Sequence, residues 1–177
     1  IGMGSSTTGS YIILAVVAAP ALIHLGVDEV AAHLVVFYAA CLSNITPPVC
    51  VSAFAGAAIA GADPMKTGFA ALKFGATLVL IPFSFVYVPE LLLIGTPAEI
   101  AWAALRYVLG YAALAIGIQK TEFLVGPISQ WRRVSFLIAA ICLLFPLLPG
   151  IEVAGFALAA FVWAPSLRAS LAARRVG

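Results

Sequence analysis

Ser43-Asn44-Ile45-Thr46-Pro47-Pro48 sets two hydroxyls, one amide and two prolines side by side in an otherwise apolar stretch. A second polar stretch, Gly2-Met3-Gly4-Ser5-Ser6-Thr7-Thr8-Gly9, precedes the first apolar run. Small neutral oxygens of this kind suit a hard cation such as sodium, which takes five or six oxygens at about 2.4 Å, close to the calcium range. Pro47 and Pro48 each lack a backbone donor, and Pro47 drives Thr46 away from helical torsions. A helix broken at this point presents carbonyls at one half-helix end and amides at the other, so it can meet a cation and an anionic solute. Irregular backbone at membrane depth persists only inside protein or against a water-filled cavity. The competing reading is structural: small residues let membrane helices pack closely, and proline kinks occur in spans with no site.

The rest of the chain explains why such residues would be placed in lipid. Of its 177 residues 64% are hydrophobic and 9% charged, where soluble domains run near half and about a quarter. A fold of this size cannot hide that much apolar surface, so the lipid bilayer is part of its solvent and an all-α polytopic membrane protein is expected. A net charge of +2 and the lack of a basic stripe interleaved with aromatics give no footprint for nucleic acid. Enzyme chemistry finds no purchase either. Gly4-Ser5-Ser6-Thr7-Thr8 lacks the closing glycine of a nucleophile elbow. No HExxH, P-loop or aspartate pair within a span occurs. No catalytic residue, organic cofactor or dedicated metal centre is therefore expected. Cys41, Cys50 and Cys142 lie singly in apolar segments and read as buried thiols. His24 and His33 read as interfacial residues flanking a polar turn at Asp28 and Glu29.

The elements that would position the two polar stretches follow from the pattern. Residues 2–9 carry no amphipathic period. Tyr11 to Ile23 is continuously apolar and as a helix would rise about 20 Å, against a hydrocarbon core of about 30 Å. It reads as half of a re-entrant hairpin whose tip is Gly2 to Thr8. Asp28 is placed to cap the next helix. Val30 to Ala62 then forms one discontinuous helix with its break at Ser43 to Pro48. Asp63 caps a short helix with Pro64 at its first position. Phe69–Val88 and Ala98–Ile118 read as spans, the first with Lys73 snorkelling to a nearby surface. Val134–Pro165, cut by Pro146, Pro149, Gly150 and Glu152, reads as two short apolar helices in a shallow hairpin, with one bent crossing as the alternative, ahead of a basic tail. The resulting division is 1–68, 69–118, 119–165 and 166–177. With the hairpin all but one of the nine Lys and Arg residues fall on one face, which the positive-inside rule makes cytoplasmic; with a single crossing at 134–165 three of them move to the other side and the bias weakens to five of nine. Arg106 lies within a span two turns after Glu99, a candidate partner; Glu152 is expected to face water. Ile1-Gly2-Met3-Gly4 offers neither an initiator methionine nor a charged leader, so the chain reads as the C-terminal part of a longer protein.

Several segments resemble one known family. Gly2-Met3-Gly4-x-x-Thr7-Thr8-x-x-Tyr11, Ala19-Pro20-Ala21-Leu22, Leu42-Ser43-Asn44-Ile45-Thr46-Pro47-Pro48-Val49, Asp63-Pro64-Met65-Lys66-Thr67-Gly68 and Phe85-Val86-Tyr87-x-Pro89-x-Leu91-Leu92 are similar to the membrane permease of tripartite ATP-independent periplasmic (TRAP) transporters, most of all the fused permeases that work with TAXI-type binding proteins. The resemblance covers residues 1 to about 118; residues 119–165 look like the less distinctive extension of those permeases. It implies the second inverted repeat of an elevator-type, sodium-driven importer in the bacterial inner membrane. It also implies a periplasmic solute-binding protein that delivers a carboxylate solute, and the remainder of the permease (first repeat and small-subunit region) as partners. Sodium would be the coupling ion. The implied ion and substrate positions are Gly4, Ser5, Ser6, Thr7, Thr8, Ser43, Asn44, Thr46 and Pro47. Ser5-Ser6 stands where the family often has Leu-Pro, and Asn44 where it often has Asp, which changes the tip geometry and removes a local charge.

Overall fold

A computed structural model of the chain describes residues 6–122, 126–145 and 150–173, with side chains as far as residue 164. The chain divides into two compact units, Ile1–Gly95 and Thr96–Gly177.

The first unit begins with α1 (Thr7–His24). The helix starts four residues before the apolar run because Ser6, in an extended conformation, caps it with Oγ accepting from Gly9 N at 3.1 Å. Thr7 and Thr8 therefore belong to its first turn. The 18 residues of α1 rise about 27 Å, so the expected short half-helix is instead long and apolar enough to cross a membrane by length and composition. A tight turn with Gly26 at φ 91° leads to α2 (Glu29–Leu42), capped by Asp28, whose Oδ1 accepts from Val30 N at 2.9 Å and Ala31 N at 3.2 Å. α1 and α2 pack as an antiparallel pair, with Ala31, Ala32, Val36 and Ala40 buried on α2.

Past the turns of residues 43–49, in which the Pro47–Pro48 peptide is cis, α3 (Val51–Ala60) ends at Gly61, in the left-handed region at φ 63°. α4 (Pro64–Phe74) starts on Asp63, Oδ1 accepting from Lys66 N at 2.8 Å, with Pro64 in its first turn. α5 (Ala76–Tyr87) follows after a bend at Gly75. The helical stretch Pro64–Tyr87 is a second segment able to span, beginning five residues ahead of the expected run because the Asp63 cap recruits Pro64 to Gly68. α2 packs on α5 and α3 on α4, and a 3-10 turn at Pro89–Leu92 closes the unit against α5.

The second unit is a helical bundle of α6 (Pro97–Gln119), α7 (Gln130–Leu144) and α8 (Ile151–Ala173), with a two-residue ladder, β1 (Thr121–Glu122) on β2 (Gly126–Pro127). α6 is the third span candidate. A reciprocal cap opens it: Glu99 Oε2 accepts from Thr96 N at 2.8 Å, and Thr96 Oγ1 accepts from Glu99 N at 3.4 Å. Gly110 and Gly117 let α7 approach, since a Cβ at either would meet Leu144 or Leu137. Phe136, Ala139, Ala140 and Leu143 of α7 fill the core against Ala113 of α6 and Ala159 and Val162 of α8. α8 extends to Ala173, so helix replaces the first part of the expected tail; residues 174–177 lie outside the described part.

Among the described residues two ion pairs hold this bundle. Arg132 Nη2 binds Glu122 Oε2 at 2.7 Å and the Val162 carbonyl at 3.1 Å. Arg106 Nη1 lies 3.1 Å from Glu152 Oε2, and its guanidinium sits 5.0 Å from the Tyr107 ring centroid. This corrects the sequence reading: Glu99 is engaged in its cap, and Glu152 answers the Arg106 charge instead of facing water. Arg106 is 11% exposed and Glu152 29%, so losing one partner strands a largely buried charge. Glu152→Ala should destabilise the protein by about 2–4 kcal/mol, and the double change Arg106→Leu/Glu152→Leu should cost less than either single change. Thermal unfolding in detergent, followed by circular dichroism, checks both.

Candidate functional site

The break lies where the last carbonyls of α2 run out of helical amides. Ser43 Oγ donates to the Ala40 carbonyl at 2.6 Å, and Thr46 Oγ1 to the Leu42 carbonyl at 2.7 Å. Asn44 N reaches the Cys41 carbonyl at 3.2 Å and Ile45 N the Leu42 carbonyl at 3.1 Å. The carbonyls of this helix end are thus answered by the break's own side chains and amides. That differs from an open row of carbonyls at the end of α2, and the hydroxyl lone pairs and the Asn44 amide oxygen are among the neutral oxygens of the break.

Asn44 also makes the contact that joins the two polar stretches. Its Nδ2 donates to Thr7 Oγ1 at 2.6 Å, across 37 residues, with the Cys41 carbonyl at 3.5 Å on the same side. A carbonyl facing that end of the amide favours the NH2 there and turns Oδ1 away. Thr7, Ser43, Asn44, Thr46 and Pro47 are all half-buried. Ser6 is exposed and serves as the α1 cap, and exposed Thr8 makes no hydrogen bond to the break among the described residues. Gly4 and Ser5 lie outside the described residues. The site is uncharged: no acidic side chain stands in the first turn of α1 or in residues 43–48, and Asp28 and Asp63 are spent as caps. Among the described residues no three His, Cys, Asp or Glu side chains converge as for a metal.

Residues the sequence reading passed over hold this arrangement. A Cβ on Gly68 would stand 2.6 Å from Cys50 Sγ and 3.3 Å from Pro47 Cγ, while one on Gly75 would strike the end of Ile45. Two glycines seven apart thus seat the break on α4 and its bend. Their spacing is visible in the sequence, but their partners are not. His33, expected at a turn, lies inside α2 and meets the Tyr11 hydroxyl through Nδ1 at 3.0 Å.

The chain is α-helical, with three segments among the described residues long and apolar enough to span a membrane and with hydroxyl and amide groups gathered at a helix break. The family model described as "Tripartite ATP-independent periplasmic transporter, DctM component" matches residues 1–100, and the chain belongs to that family. It is therefore a membrane protein and a permease component of a TRAP transporter. The match takes in the whole first unit and ends just inside α6. No curated protein and no solved structure gives a significant match.

The packing of the break is open to direct test. Gly68→Val should cost about 1–3 kcal/mol, as overpacking does, and should unseat Cys50, which is fully buried. In a background with Cys41→Ala and Cys142→Ala, alkylation of Cys50 should speed up. Gly75→Val, whose Cβ meets the flexible end of Ile45 and comes within 3.3 Å of the Ala71 carbonyl, should do less.

Proposed function

We propose that the first unit supplies half of the site of a sodium-coupled importer that takes up a carboxylate-type organic solute delivered by a periplasmic solute-binding protein. The observation that carries the proposal is the Asn44–Thr7 hydrogen bond of 2.6 Å. It brings the start of one helix and the break of another together at the ends farthest from their connecting turn. From that turn α2 rises about 21 Å before it breaks, some two-thirds of a hydrocarbon core of about 30 Å. In this reading the turn at residues 25–28 lies at the outer surface of the bacterial inner membrane, and Lys66, Lys73 and Lys120 lie on the cytoplasmic side. Discontinuous helices meeting at depth are the pattern by which secondary transporters bind ions and solutes.

The neutral oxygens of Thr7, Ser43, Asn44 and Thr46, with Gly4, Ser5, Ser6, Thr8 and Pro47 around them, would form one side of the sodium and substrate cavity. The other side would come from a first inverted repeat, and the transport domain would move as an elevator against a scaffold with the small-subunit region. With no carboxylate in the cluster, the cation is left with net charge. An anionic solute bound beside it would offset that charge, which ties the two together.

A structural reading also has an observation behind it: Ser43 and Thr46 spend their protons on the carbonyls of α2, as residues that merely complete a helix end would. The two readings part on ion response. In the reconstituted transporter containing this chain, with its binding protein, Asn44→Ala should raise the sodium concentration for half-maximal uptake about tenfold, and Thr46→Ala several-fold, as loss of one or two ion ligands would. An unchanged sodium response in both, at equal protein in the membrane, favours the structural reading.

A further inference from the structure

α1 lies on α2 with little bulk to hold it: its buried residues are Ser10 and Ala19, while Ile12, Ile13, Val16 and Val17 are exposed. Small buried residues permit close approach but fix neither register nor rotation well, because sliding by a turn changes little apolar area. Polar cross-links restore that precision. Two described side-chain hydrogen bonds join the pair: Asn44 to Thr7, and Tyr11 to His33. Tyr11 stands four residues after Thr7 and so on the same face of α1. His33 stands eleven residues before Asn44, close to three turns, and so near the same face of α2. The Tyr11 ring also meets the Phe37 ring edge-on, with centroids 6.1 Å apart and planes at 79°. The Tyr11–His33 bond survives in either imidazole tautomer, since a phenol can donate or accept.

We infer that Tyr11 and His33 are positioning residues for the candidate ion site, setting the rotation and height of α1 so that the Thr7 hydroxyl stands beside Asn44. The inference rests on the sodium reading of that site. Neither residue touches the ion. Their loss acts by letting Thr7 drift, which weakens ion binding while leaving the saturated transporter able to turn over.

The test is sodium-dependent uptake by the reconstituted transporter and its binding protein, separated into half-saturating sodium and maximal rate. Tyr11→Phe, which keeps the ring and removes the hydroxyl, and His33→Leu should each raise half-saturating sodium about fivefold, the weight of one net hydrogen bond. Maximal rate at saturating sodium should stay within about twofold. The double variant should be no worse than either single one, since both remove the same bond. His33→Gln, whose amide can still meet the phenol, should restore sodium dependence close to the parent. Unchanged half-saturation in Tyr11→Phe, a loss confined to maximal rate, or additive effects in the double variant would overturn the inference. Asn44→Ala, run alongside, separates the two levels. If it shifts the sodium response and Tyr11→Phe does not, only the positioning role fails; if neither shifts, the sodium site itself fails.

Discussion

Everything in the first unit depends on one requirement: a helix interrupted within an apolar environment must find partners for its severed backbone inside the protein. On the α2 side the interruption at residues 43–48 meets it locally. Ser43 and Thr46 turn back onto the Ala40 and Leu42 carbonyls, and the Asn44 and Ile45 amides take those of Cys41 and Leu42. Because these groups satisfy the helix end, the Asn44 side chain is released to reach another element. It reaches Thr7. The same chemistry that makes the break tolerable therefore fixes what the break touches.

A second constraint is steric. Glycines in membrane helices let other segments approach closely, and here Gly68 and Gly75 admit Pro47, Cys50 and Ile45. The break is thus held by hydrogen bonds on one side and by packing on another. The second unit uses the same device, with Gly110 and Gly117 on α6 and Gly155 on α8, but ties its helices with ion pairs. Arg106 with Glu152, and Arg132 with Glu122, keep charge neutral where it is shielded from water. The family match reaches only into the first turn of α6.

How far the sequence alone could go follows from the range of each interaction. Caps were legible: Asp28 and Asp63 were each followed by a helix start, and both accept the expected amides. Ser6 was not, because three glycines around it read as irregular chain while a single hydroxyl suffices to start α1 at Thr7. The two polar stretches could be singled out by composition, but not the 2.6 Å bond between them, which depends on the rotation of two helices. Glu152 was misplaced in water because its partner lies 46 residues away, while Glu99 offered a nearer candidate on the same helix. His33 looked like a turn residue until the length of α2 placed it inside a helix–helix seam.

The most direct test of the central claim is a cross-link between Thr7→Cys and Asn44→Cys, with the native cysteines replaced, in native membranes under mild oxidation. If the start of α1 stands against the break as described, the two thiols should form a disulfide readily, with neither single variant giving the product. If both thiols alkylate freely and no disulfide forms, the two stretches are not neighbours in the membrane, and the shared site does not exist.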